Sequence, residues 1–286
     1  MRRSAFGRLH PAASYAAGGS ILLLAFLTKD PVSALILGLG ALLFGGECFG
    51  AGYALKRLLL FSGLILAGGV TNPLISHRGM TVLFYIGNNA VTAEAALYGA
   101  VSGAMLADVI LWCEALYRSL PGDGALYFPG KILPRTTLTF TMAIRFVPRL
   151  MTRMREARAA QRAFHPDNSL KNAFSAFQTG VALTLEECCE IAHGMEKRGW
   201  GTGKRTSYSL YRFRLRDGLT ALSALALCAC VLAGYFFGAY RFTCYPVVLW
   251  QSASRAWYIF PALLALLPAV TERKEKLLWR SWKSKA

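Results

Sequence analysis

The placement of apolar runs around one basic block restricts this chain more than any other feature. Apolar runs cover about Ala12–Thr28 and Pro31–Phe49, a third follows Lys56 and Arg57 and ends near Ile75, a fourth covers Thr92–Leu116, and two more close the chain at Leu219–Ala239 and Tyr245–Val270. Each approaches the roughly 20 residues that cross a hydrocarbon layer. Between the two sets, residues 145–216 hold 14 of the 32 Lys and Arg, with six carboxylates. Hydrophobic residues make up 55% of the chain, yet its formal charge is +17. Basic segments stay on the cytosolic side of a membrane. Four crossings before the block and two after it therefore place the block and both termini in the cytosol. Nucleic acid would attract the same charge, but that reading leaves the apolar runs unexplained, so no nucleic-acid partner is expected.

Arg2, Arg3 and Arg8 precede the first run in the charge order of a signal peptide. A second apolar run follows at once and no small-residue cleavage site separates them, so the first is expected to be retained. Gly79, Gly87, Asn88 and Asn89 predict turns in Ser76–Val91. Thr92 is expected to cap the fourth helix, with Glu94 in its first turn facing the helix dipole. Asp108 lies inside that apolar helix, where a carboxylate is costly in lipid, so it should face other helices or lie near a polar boundary. Three prolines and three glycines from Pro121 to Pro134 predict a break.

Beyond the break the periodicity becomes amphipathic. Arg145, Arg149, Arg153, Arg155, Arg158 and Arg162 recur at helical spacings, opposed by a stripe of Phe146, Val147, Leu150, Met151, Met154 and Ala157. Pro148 either kinks this helix or marks its start. After His165-Pro166-Asp167-Asn168, a second helix is predicted over Leu170–Lys197. Its stripe is Phe174, Phe177, Val181, Leu185, Cys188, Ala192 and Met195, with Glu186, Glu187 and Glu190 elsewhere. It should stop at Gly199, because glycine takes the left-handed conformation without steric cost. The tail from Thr271 carries six Lys or Arg against two Glu, suited to a cytosolic end near anionic headgroups. The seven cysteines and four histidines are scattered, so no metal site, cofactor or disulfide framework is expected.

The run RFVP, leading from Arg145 to AQRA, and then LEECCEIAHGMEKRGW and GTGKRTSYSLYRFRLRD resemble the transmembrane T component of energy-coupling-factor (ECF) transporters. In that family RF[IV]P opens a helix ending near AQ-x-ARG, and a second helix ends in a motif like AMEARG followed by an aromatic residue. GMEKRGW puts Met195, Glu196, Arg198, Gly199 and Trp200 in register. At the first motif Ala160, Gln161 and Ala163 fit, whereas Phe164 and His165 stand where the family has Arg and Gly. Arg158 or Arg162 is the nearest substitute cation. Leu9-His10-Pro11, TNPLISHRGMTVLFYIGNN, TAEAALYGA and Asp217 extend the resemblance over roughly residues 8–240.

The resemblance implies an all-α integral membrane protein with about six membrane helices and two long amphipathic cytosolic coupling helices. It further implies a non-catalytic subunit, in a prokaryotic plasma membrane, that transmits motion from two cytosolic ABC-type ATPases to a membrane S component binding a vitamin or metal ion. The expected division is residues 1–120, N-terminal membrane helices; 121–144, the break and the start of the first coupling helix; 145–216, coupling region; 217–270, C-terminal membrane helices; and 271–286, basic tail. The ATPase-coupling set would be Arg198, Gly199, Glu196, Trp200, Arg158, Arg162, Ala160 and Gln161, with Arg145, Phe146 and Pro148 at the helix start. A membrane enzyme using Asp108, Glu186, Glu187 and Glu190, or a self-contained carrier, are the competing readings. No phosphate-binding glycine loop or histidine cluster supports the enzyme, and few polar residues in the apolar runs support the carrier.

Overall fold

The computed structural model describes residues 6–76, 79–86, 89–120, 122–164, 170–203, 211, 213–244, 248–252 and 255–283. The chain forms two compact units, residues 1–124 with 211–286, and residues 125–210. After a 3-10 turn at Phe6–Arg8, the first unit contains α1 (Pro11–Leu27), α2 (Pro31–Phe49), α3 (Ala51–Ile75), a hairpin of β1 (Val82–Ile86) and β2 (Asn89–Thr92), and α4 (Ala93–Ser119). A short α5 (Gly122–Ala125) lies at the boundary. The second unit contains α6 (Tyr127–Ile132), α7 (Pro134–Phe164) and α8 (Leu170–Lys197). The first unit resumes with α9 (Leu215–Phe236), a hairpin of β3 (Tyr240–Thr243) and β4 (Leu249–Ser252), a 3-10 turn at Arg255–Tyr258 and α10 (Ile259–Lys283). The fold is thus mostly helical, and α2, α3, α4 and α9 are each long and apolar enough to cross a membrane. α1 is a shorter apolar helix.

Several boundaries differ from the sequence-based expectation. The stretch after Ile75 is not simply a loop: Val82 to Ile86 pair antiparallel with Asn89 to Thr92. Gly87 and Asn88 lie outside the described residues, as does the expected break at residues 165–168. The last helix begins at Ile259, not Tyr245, because a second hairpin and a 3-10 turn intervene, and it continues through the basic tail to Lys283. α7 starts at Pro134, where a proline's missing donor costs nothing in the first turn. Pro148 lies well inside α7 and does not begin it.

The first unit is held by close helix contacts. Trp112, stacked on Phe44, donates from Nε1 to the Leu37 carbonyl at 3.1 Å, tying α4 to α2. α3 and α4 meet where Gly68 faces Gly99 and Gly103, and a Cβ on any of these would strike the opposing backbone. Small residues four apart allow this approach, which dispersion contacts reward in an apolar solvent. Asp108 is only 1% exposed and packs toward Gly38 of α2 and Phe61 of α3, as expected for an acid facing other helices.

The two ends of this unit are built differently. One end gathers the N-terminus of α1, the C-terminus of α2, the N-terminus of α3 and the C-termini of α4 and α10. There Glu272 accepts from the Phe6 amide at 3.3 Å, Arg8 pairs with Glu275 at 3.5 Å, and Lys276 pairs with Glu47 at 3.3 Å. Ser119 of α4 also lies 3.9 Å from the Cys48 sulfur of α2. The other end carries the hairpins and the α1–α2 connection.

Candidate functional site

In the second unit α7 and α8 pack side by side and antiparallel. Arg149 meets Glu187 at 2.6 Å, Met154 lies against Gly180, and Gln161 donates to Ser175 at 2.9 Å. As the α7 position rises, its α8 partner falls, so one register covers three successive levels. The seam on α8 consists of Ala176, Gly180 and Thr184, all buried, which are small and four residues apart. On α7 the partly buried Phe146, Leu150, Met154 and Ala157 face it.

Phe146, Leu150, Met154 and Ala157 thus keep the seam-facing place expected of the α7 stripe, whereas the rest of that stripe and the α8 stripe are corrected. Phe174, Phe177 and Leu185 are exposed, at 69%, 44% and 60%, and so are Val147 and Met151. Close helix approach selects the small residues for the seam, and the large apolar side chains fall on adjoining faces. The signal for the seam, Ala-x-x-x-Gly-x-x-x-Thr, was present in the sequence but carried less hydrophobicity than the stripe beside it.

The end of α8 is built by its own backbone. Gly199 has φ +76°, and its amide donates to the Glu196 carbonyl at 2.9 Å, while the Trp200 amide donates to the Met195 carbonyl at 3.0 Å. These are the two reversed bonds of a Schellman termination, which requires the left-handed conformation at the glycine. Arg198 is exposed and forms no ion pair among the described residues. Trp200 is 46% exposed. Glu196, also exposed, lies 3.7 Å from His193.

The first motif is placed differently. Gln161 is tied to Ser175, Ala160 and Arg158 are exposed, and Arg162 belongs to α7 with its side chain outside the described atoms. Phe164 ends α7. The 23 residues from Ser175, which marks the level of Gln161, to Arg198 correspond to about 34 Å along a helix. The two candidate motifs therefore occupy opposite ends of one helix pair and do not form a single site. At the expected helix start, Arg145 is exposed, Phe146 is partly buried under the Arg149 guanidinium at 5.9 Å, and Pro148 is exposed. The Arg149–Glu187 link was not foreseen, although each residue stood out in the sequence.

Upstream motif residues have structural work in the first unit. His10 is the N-cap of α1, accepting from the Ala12 amide at Nδ1 (3.2 Å), and Pro11 occupies the first turn. Asn72 donates to the Ala95 carbonyl at 2.6 Å, linking α3 to α4. Glu94 accepts from the Thr81 amide at 3.1 and 3.2 Å, closing the segment before β1 onto α4. Thr92 is the N-cap residue of α4 but makes no side-chain capping bond, contrary to expectation. Asp217 accepts from the Arg214 amide at 3.1 Å and so caps α9. Residues 204–210 and Arg212 of the last motif lie outside the described residues.

Of the acids in the enzyme reading, Glu187 is engaged by Arg149 and Asp108 is packed among helices, while Glu186 and Glu190 are exposed on α8. The chain matches no protein-family model and no curated protein.

Proposed function

We propose that this chain is the transmembrane coupling subunit of an ECF-type importer in a prokaryotic cell membrane. In this reading α1–α4, α9 and α10 are the six membrane helices, both termini are cytosolic, and α7 and α8 are the coupling helices. The subunit hydrolyses nothing and binds no transported compound. Two cytosolic ATPases engage the helix pair, and a membrane S component supplies the vitamin or metal-ion site.

The observation that carries the reading is the end of α8. Its backbone turns sharply at Gly199 and presents Arg198 and Trp200 to solvent. A guanidinium offers five donors in a planar fork, suited to carboxylates or carbonyls in a partner groove. Trp200 adds a large apolar surface beside it. The other motif lies about 34 Å away along α8, which suits two separate ATPases better than one. The seam between α7 and α8 lets a push at either end move the pair as a unit, and a partner biases such an element only through different contacts in its two states. Exposed Phe174, Phe177, Leu185, Val147 and Met151 leave apolar surface for those contacts.

Co-expression tests the reading. The chain should purify with two ATPase subunits and an S component, and uptake should require all of them together with ATP. Substrate uptake or turnover by the chain alone in proteoliposomes would refute it.

A further inference from the structure

The ends of α3 and α4 carry a charge cluster that the coupling reading does not use. Arg57, in the second turn of α3, and Arg118, in the last turn of α4, both bind the same carboxylate oxygen of Glu114. The Arg118 contact is 2.9 Å. One carboxylate cannot neutralise two guanidinium groups, so the cluster retains a positive charge, and exposed Lys56 adds to it. Glu47, the nearby acid at the end of α2, is engaged by Lys276.

Aromatic rings hold the guanidinium groups in place. Arg57 lies 5.3 Å and Arg118 5.4 Å from the centre of the Tyr53 ring, and Arg118 lies 5.8 Å from that of Phe49. Arg118 remains 48% exposed, whereas Glu114 is only 19% exposed. The charge thus faces outward and its partial counterion inward. In the adjoining turns Leu55, Leu58, Leu59 and Tyr117 are exposed, giving an apolar surface directly beside the cations.

We infer that Arg57, Arg118 and Lys56 form a binding site for the headgroup of an anionic phospholipid in the cytosolic leaflet. The phosphate would meet the outward guanidinium edges, and acyl chains would cover Leu55, Leu58 and Leu59. A free phosphate has no use for that apolar margin, which is why the geometry selects a lipid. Arginine suits the contact because its fork matches phosphate oxygens. The site rests on the proposed orientation of the membrane helices, but it needs neither ATPase nor S component.

The test is native mass spectrometry of the full-length chain released from detergent, titrated with phosphatidylglycerol, phosphatidylcholine or inorganic phosphate. The wild-type chain should retain phosphatidylglycerol over phosphatidylcholine, and millimolar inorganic phosphate should not displace it. Arg118→Gln leaves Arg57 paired with Glu114 and should weaken retention about fivefold, the value of one interfacial cation. Glu114→Gln should act in the opposite direction, because it removes the competing anion and keeps both arginines. Lys29→Gln, which removes an exposed cation from the α1–α2 connection at the opposite end of the unit, should leave retention unchanged. Equal retention of the two lipids, displacement by inorganic phosphate, no effect of Arg118→Gln, weakening by Glu114→Gln, or an equal loss in Lys29→Gln would each overturn the site. Because no partner protein takes part, any of these results leaves the coupling reading to stand or fall on its own test.

Discussion

Reversing the charge at Arg198 separates a docking residue from a helix terminator. In the isolated chain Arg198 is exposed and has no ion pair among the described residues, and the termination of α8 rests on backbone bonds among residues 194–200, to which Arg198 contributes its amide and not its side chain. Arg198→Glu should therefore change fold stability by no more than about 0.5 kcal/mol, as for a surface substitution. In the complex the same side chain would be a desolvated, hydrogen-bonded charge. Losing such a partner costs about 2 to 5 kcal/mol, or roughly 30- to 5,000-fold in affinity, and reversal adds repulsion. The assay is titration of the ATPases onto immobilised chain and S component, with thermal unfolding measured in parallel. Lys197→Glu, an exposed neighbour with the same charge change, is the control and should weaken binding by less than about fivefold, the surface-pair limit. Equal losses for the two variants would mean that general electrostatics, and no specific contact at Arg198, governs assembly. Unchanged ATPase binding and uptake in Arg198→Glu would refute the reasoning outright.

Three other perturbations follow from the geometry. Gly180→Val would place Cβ 2.9 Å from the Met154 side chain and 3.4 Å from its backbone, so it should lower the stability of the α7–α8 pair by about 1 to 3 kcal/mol, read by thermal unfolding. Arg158→Glu and Arg162→Glu, assayed separately for complex recovery, should identify the cation that serves the first motif; normal recovery in both would exclude a contact there. Asp30, buried in the α1–α2 connection with no hydrogen-bond partner for Oδ2 among the described residues, has its carboxyl pushed by burial from 3.8 up to about 7. Because the folded value is raised, its stabilising contribution is complete below the unfolded value and is lost as the pH rises through about 7. Asp30→Asn should flatten the fall in melting temperature between pH 4 and 8; an unchanged profile would show that Asp30 does not set it.

The sequence was most legible where one residue type has one geometric use. Gly199 announced the end of α8 because few other residues take a positive φ, and Asp108 announced a helix-facing position because an acid in lipid is costly. It was least legible where two signals overlapped. The break signalled by prolines 121, 129 and 134 is present, with only the short α5 and α6 between α4 and α7, but its end was harder to read: Pro134 already opens a 31-residue helix, since proline is tolerated in a first turn. Large side chains on α8 gave a clear apolar stripe, but packing distance favoured Ala176, Gly180 and Thr184. The four-residue strand Leu249–Ser252 is too short to interrupt the apolar pattern after Tyr245, so that pattern starts the last helix too early. For the candidate site, the motif residues could be named from the chain, but their separation to opposite ends of one helix pair required the register of α7 against α8.

The closed end of α8 also bears on how such a subunit could change partners over time. Because the Met195 and Glu196 carbonyls are already occupied by the turn, an incoming protein finds few backbone acceptors there and must recognise side chains. Identity at that joint is then written in a handful of positions around Arg198 and Trp200, with the turn as a neutral frame. Such a frame tolerates replacement of its side chains without refolding, so a lineage could exchange one motor for another through a few substitutions while the membrane-embedded portion stays as it is.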